Sequence, residues 1–333
     1  MNFDIWLVSK EELKSPALFK ENKKTHINCL KEGLEKESGI AFTIDELSGL
    51  ILSACRSGEI VDQNTTDEVK VRKESILKWL RKKLIPNTVI LNMDDEDLIR
   101  LLIFCIEITY QMFEGGTKAT VTQKGFRERR RTFEAILADQ FTGKLGEIIV
   151  RKFFKEKFSI EIELDWEIST QIRKHKNDII NAKKKVSIKT SPTLEGIWAE
   201  ADQGYDYGIA VKCSVPRHPI LQFFIEVCGF LSLLNFAGQK IPNSDKKFQD
   251  YLKKIRERVK EYKCGEITTK LKGFVCGYFK TSDYIPVKEG ETLPYLGKVR
   301  EPRYLVKINQ LKYTKEDWET FLQETGLKEF STY

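Results

Sequence analysis

Apolar residues recur along the chain at two different periods, and the place where one replaces the other divides the sequence into two halves. In the first half the spacing is helical. Leu47, Leu50, Ile51 and Ala54 follow Thr43-x-x-Glu46, and Val69, Ile76, Leu77 and Leu80 follow Thr65-x-x-Glu68. Each Thr-x-x-Glu reads as a capping box, in which the hydroxyl and the carboxylate satisfy N–H groups that the first turn of a helix leaves open. A third helix is predicted over Asp94–Phe113. It opens in the acidic turn MDDEDL and stops at Gly115-Gly116, as helix polarity and C-terminal glycine preference require. These elements predict an N-terminal helical region over residues 1–115.

Beyond residue 115 the pattern is mixed. Gly143–Phe154 (GKLGEIIVRKFF) reads as a helix, and Ser159–Trp166 (SIEIELDW) alternates apolar and charged residues as a half-buried strand does. Asp178–Asn181 (DIIN) and Lys185–Thr190 (KVSIKT) read as two strands joined by a lysine-rich turn. Further strand signals lie at Tyr205–Val215, Phe274–Phe279 and Tyr304–Ile308, between helical stretches at Ile220–Leu234 and Asp245–Tyr262 and before a short helix at Lys315–Leu322. Residues 116–333 are therefore expected to form an α/β unit.

Composition narrows the class. A chain of 333 residues with 41% hydrophobic and 11% aromatic side chains can bury a core, which excludes a disordered protein. The net charge of +7 is mild, so its distribution matters more than its size. Seven cysteines without a C-x-x-C pair argue against a disulfide framework or a zinc ligand set, and three histidines leave little for imidazole chemistry. The opening MNFDIWLVSK carries Asp4 within its apolar stretch, so it is not read as a signal peptide; the apolar runs Leu98–Phe113 and Pro219–Phe236 are interrupted by charges. The expected location is the cytoplasm. No G-x-x-x-x-G-K-[ST], G-x-G-x-x-G after a strand, H-E-x-x-H or G-x-S-x-G is present, so no organic cofactor is expected.

The chemistry concentrates in the DIIN and KVSIKT pair. With the simplest turn, centred on Ala182-Lys183, Asp178 faces Ser187 and Lys189 lies diagonal to Asp178, about 7–8 Å away between backbones. One face then carries Ile179, Val186 and Ile188 toward a core, and the other presents Asp178, Ser187 and Lys189. A carboxylate can hold a divalent cation that polarises a phosphate and acidifies a bound water, and a lysine beside it can orient that water or meet the developing charge. A hard cation takes one or two carboxylates together with phosphate and water oxygens. Glu147 is the first candidate for a second acid, because the glycines of G-K-L-G-E allow backbone or substrate to come close.

A GKLGE helix followed by Asp178 and a strand ending Ser187-Ile188-Lys189 resembles the PD-(D/E)xK nuclease superfamily, in particular type II restriction endonucleases, over roughly residues 141–211. The resemblance implies a restriction-endonuclease-like core, a mixed β-sheet flanked by helices. It makes Asp178 and Glu147 ligands of Mg2+, adds the Ile188 carbonyl to the metal shell, and makes Lys189 the lysine that positions the attacking water. Ser187 departs from the family, which usually has Asp, Glu or Gln there. Members that resemble this chain in having serine take the missing acid from the following helix, which nominates Glu200, then Glu195 and Asp202, behind Glu147.

Basic residues flank the motif. Residues 116–131 (GTKATVTQKGFRERRR) form an arm with Lys124, Arg127, Arg129, Arg130 and Arg131, and Arg173, Lys174, Lys176, Lys183, Lys184 and Lys185 surround Asp178. Such clusters neutralise phosphates. Lys124, Arg127, Arg129, Arg130, Arg131, Lys174 and Arg217 are the expected DNA contacts; Arg217, Arg300 and Arg303 sit in proline-bounded turns suited to guanine edges. The expected activity is Mg2+-dependent cleavage of double-stranded DNA at a short palindrome by a homodimer. A junction or repair nuclease of the same superfamily and a non-catalytic nucleic-acid-binding protein with a decayed site are the alternatives.

Overall fold

The computed structural model describes residues 4–92, 96–114, 133–166, 177–215, 239, 242–261 and 270–331. A run of apolar residues with β propensity gives the first strand, β1 (Ile5–Ser9), in which Trp6 and Val8 are buried and Ile5 and Leu7 are exposed. Helices α1 (Lys10–Lys14), α2 (Pro16–Ser38) and α3 (Ile44–Ser57) follow, the last opened by the expected Thr43–Glu46 capping box and closed by Gly58 in the left-handed conformation. The segment after Thr65 is a strand where a helix was expected. β2 (Gln63–Asn64) and β3 (Glu68–Arg72) pair with each other, and β3 pairs with β1, in an antiparallel sheet of order β1-β3-β2. The Thr65 hydroxyl does accept from the Glu68 N–H, but Val69 and Val71 alternate with Lys70 and Arg72, and that period-2 pattern wins for the next five residues. Helix α4 (Lys73–Trp79) begins only afterwards.

A four-stranded mixed sheet forms the centre of the molecule. β4 (Thr88–Asn92) pairs antiparallel with β8 (Lys270–Lys280), β8 antiparallel with β7 (Tyr207–Ser214), and β7 parallel with β5 (Val186–Ser191), giving the order β4-β8-β7-β5. The β7–β8 register shifts between Ala210 and Val211, opposite Gly277, whose φ of +132° suits a bulge. Helices α5 (Glu96–Glu114) and α6 (Phe133–Phe158) pack beside one another, and α6 runs much further in both directions than the twelve residues its sequence signalled. Leu145, Ile148, Ile149, Phe153 and Phe154 of α6 are buried with Val186, Ile188, Ile209 and Val211 of the sheet. An aromatic group of Phe153, Phe154, Tyr278, Trp318 and Phe321 joins α6 and β8 to α8 (Lys315–Glu324), which follows α7 (Lys246–Glu261) and β11 (Arg303–Lys307) in the chain.

β6 (Trp198–Asp202) pairs antiparallel with β11 and presses Ala199 and Ala201 against Ala210 and Phe279. A short hairpin, β9 (Thr292–Leu293) with β10 (Gly297–Lys298), stands between β8 and β11 in the chain. The molecule is thus α/β, a mixed sheet flanked by helices with a mainly helical N-terminal stretch that also holds four strands. Val89, Leu91, Leu98, Leu101 and Cys105 belong to the same core as α6 and β5, so the central core reaches back well before residue 115. Two other expected strands are not continuous ladders. In Ser159–Trp166 the alternation is realised in burial, with Ile160, Ile162 and Leu164 inside, but only the bridges Ile160–Ser331 and Leu164–Ile179 form. DIIN contributes the single bridge at Ile179 and lies alongside β5 by other means. The stretch 220–234 falls outside the described residues. Among the described residues no helix is long and apolar enough to cross a membrane.

Candidate active site

The site is built where α6 crosses the outer edge of the sheet. At Gly146 a Cβ would come within 1.6 Å of Thr190 Oγ1, so only glycine lets the helix backbone lie this close to β5. That contact carries Glu147 to the edge strand. Gly143, one turn earlier, faces open space and lines a polar cavity of about 170 Å³ with Lys144, Glu147, Asp165, Asn177 and Asp178, bounded also by Phe104 and Ile108 of α5.

Side chains complete the edge of β5. The Val186 N–H donates to Asn177 Oδ1 at 2.8 Å and the Ile188 N–H donates to Asp178 Oδ2 at 2.6 Å, while the Asp178 N–H donates to the Val186 carbonyl at 3.2 Å. This is why the expected hairpin is no regular ladder: two side-chain oxygens occupy N–H groups that backbone carbonyls would take. Ile179 then pairs with Leu164 in place of Val186. The N–H and C=O of one strand residue point to the same side. The Ile188 carbonyl is therefore directed along the edge on which Asp178 sits.

Parity divides the rest. Val186, Ile188 and Thr190 turn toward α6, and Ser187 and Lys189 turn to the opposite face, where the Lys189 ammonium meets Asp202 Oδ2 of β6 at 2.6 Å. Ser187 is 1% exposed and its Oγ has no hydrogen-bond partner among the described residues. Its neighbour across the ladder, Gly208, is covered by Phe279 and Ala201. A carboxylate at position 187 would thus lie beneath β6.

Burial and mutual charge govern the acids. Burial pushes the Glu147 carboxyl up to about 8, against the pull of the Lys144 ammonium and with Asp178 adding to the rise. The Asp178 carboxyl is also raised by burial, opposed by the Ile188 N–H and by Lys189 and Lys144. Tyr205 is pushed up to about 12 by burial and by the charges of Asp178, Asp202 and Glu147. Glu147 of α6 and Asp178 of the segment before β5 line one cavity, while Asp202 ends β6 and Tyr205 follows in the turn after it. Lys144 is buried inside this group: Nζ donates to Glu147 Oε2 at 2.6 Å and to the Asp165 carbonyl, and lies over the rings of Phe104 and Trp166 at 5.3 and 4.8 Å.

Asp178 thus meets Glu147 in the lining of one cavity and the Ile188 N–H at the edge of β5, while Lys189 lies with Ser187 on the β6 face. The chain after β5 is a loop and the strand β6, so no following helix supplies an acid. Glu200 is held by Arg303 at 2.6 Å on the wall of a groove of about 840 Å³, and the Glu195 carbonyl accepts from Arg56 Nη1 at 3.1 Å in the loop before β6. Lys124, Arg127, Arg129, Arg130, Arg131, Lys174 and Arg217 lie outside the described residues. Sequence reasoning gave no role to Tyr205 or Lys144. The Lys144–Glu147 spacing of three residues does place both on one helix face; nothing local marks Tyr205.

Two carboxylates and a carbonyl form an all-oxygen set suited to a hard divalent cation, which completes its shell with water and substrate oxygens. Among the described residues no three His, Cys, Asp or Glu side chains converge as a metal cluster. No family model matches the chain, and no curated protein or solved structure matches it either.

Proposed function

We propose that the chain is a divalent-cation-dependent nuclease with a restriction-endonuclease-like core, in which Asp178 and Glu147 hold Mg2+ with the Ile188 carbonyl and Lys189 acts on the attacking water. The observation that carries this reading is that Glu147 and Asp178 line one cavity beside the edge of β5, with the Ile188 N–H on Asp178 and Lys189 one residue further along the strand. When bound, the cation polarises the phosphate and acidifies a water. The chain does the rest. The Ile188 N–H holds one oxygen of Asp178 and Lys144 holds one oxygen of Glu147, which leaves each acid a second oxygen for the cation. Lys189 stabilises the charge that develops on the phosphate or orients the water. Double-stranded DNA, a short palindromic site and a homodimer are proposed from the sequence resemblance, with the basic arm over residues 116–131 as the phosphate contact.

Incubating the protein with plasmid DNA and Mg2+, then sequencing the fragment ends, tests the reading. Discrete ends from the wild type and none from Asp178→Ala are expected; equal cutting by Asp178→Ala would overturn it. The covered Ser187 and the Lys144–Glu147 pair favour one other reading, a binder whose site has decayed. Salt-sensitive DNA binding without cleavage in Mg2+ or Mn2+ selects that reading.

A further inference from the structure

Lys189 must present its ammonium at one point to act on a water, yet its side chain is 39% exposed and carries four rotatable bonds. Left alone it would sample many positions in solvent. Asp202, 44% exposed, meets it at 2.6 Å. A half-exposed ion pair of this kind adds little to stability, so its main physical consequence is orientation. The Asp202 carboxylate is itself fixed by the strand that bears it. β6 is pinned to β11 in a register that sets Asp202 opposite Arg303, and Ala199 and Ala201 on its other face pack against the sheet. Arg303, although opposite Asp202 in the ladder, bonds Glu200 at 2.6 Å, and the Asp202 carboxylate bonds Lys189.

We infer that Asp202 is a positioning residue: its carboxylate holds the Lys189 ammonium at the rim of the site, and it is not a ligand of the metal. The inference rests on the nuclease reading and extends it by giving one of the acids near the site a role apart from metal binding. Its place agrees with this role. Asp202 engages Lys189 on the β6 face of β5, whereas Glu147 arrives from the α6 face and Asp178 lies in the plane of the edge.

The test compares wild type, Asp202→Ala and Asp202→Glu for kcat and KM on plasmid DNA, for Mn2+ affinity by calorimetry and for thermal midpoint, all on the full chain. Loss of kcat by about 10–100-fold is expected in Asp202→Ala. KM, Mn2+ affinity and thermal midpoint stay unchanged, and Asp202→Glu recovers most of the rate because a carboxylate again reaches Lys189. A fall in Mn2+ affinity parallel to the fall in rate would make Asp202 a metal ligand and overturn the inference, as would full activity in Asp202→Ala. Failure of the underlying reading shows separately, as a wild type that cuts no DNA or an Asp178→Ala variant that cuts as well as wild type.

Discussion

Glu147 is a carboxyl that burial raises to about 8 although a lysine ammonium touches it, so desolvation outweighs the ion pair. The unfolded chain loses this proton near the ordinary glutamate value of 4.5, and the folded chain keeps it until about 8. Between those values the native state binds the extra proton, so stability falls as pH rises through that window. Thermal midpoints of metal-free protein should therefore decline from about pH 4.5 to about pH 8 more steeply in wild type than in Glu147→Gln; equal slopes would contradict the assignment. At the same scale, Lys189→Ala should abolish cutting while leaving DNA binding intact, as measured by gel shift beside the cleavage assay. That Asp178 lies beside β5 was legible in the sequence, though through a regular hairpin that does not form, and Glu147 was singled out by the glycines of GKLGE. Tyr205 and the pairing of Asp202 with Lys189 were not, because their approach depends on the loop and strand that fold back after β5, and sequence spacing carries no trace of that return.

Among the elements, α6 and β5 do most to make the site. Gly146→Ala should force the two apart at Thr190 and cost about 1–3 kcal/mol, typical of overpacking. Denaturant unfolding measures this, and Thr190→Ala in the same chain should return part of the loss; a neutral Gly146→Ala would show that the helix need not lie so close. The glycines of GKLGE were visible in the sequence as a sign of close approach, and the structure divides their work, Gly146 against β5 and Gly143 beside the cavity. β5, β7, β8 and β11 were legible from apolar runs. β3 was not, since the Thr65–Glu68 pair is a capping signal that two alternating valines override. The edge of β5 was misread for a different reason: Asn177 and Asp178 finish it with side chains, and a pattern of apolar residues does not distinguish a backbone partner from a side-chain one.

Across the whole molecule, buried polar contacts tie the N-terminal stretch to the sheet. Lys272 of β8 meets Glu46 of α3 at 2.8 Å with both side chains buried, Lys212 of β7 donates to Ser53 Oγ at 2.6 Å, and Lys83 donates to the Ile308 carbonyl at 3.1 Å. Removing one member of a buried pair leaves an uncompensated charge. Glu46→Gln should cost about 3–5 kcal/mol in denaturant unfolding, and adding Lys272→Met should recover most of it. In the wild type the N-terminal stretch and the sheet should unfold in one transition, because these buried contacts bridge them; an N-terminal stretch that melts first would contradict this. These links were hidden in the sequence, where nothing local marks Lys83, Lys212 or Lys272 as buried.

The proposed nuclease depends on one cation shared between α6 and the edge of β5. A crystal of the full chain soaked in Mn2+ and measured for anomalous scattering tests this most directly. A peak in ligand range of the Asp178 and Glu147 carboxylates and the Ile188 carbonyl, absent from crystals of Asp178→Ala, is the predicted result. Manganese bound elsewhere while this site stays empty, or a peak that survives in Asp178→Ala, would contradict it.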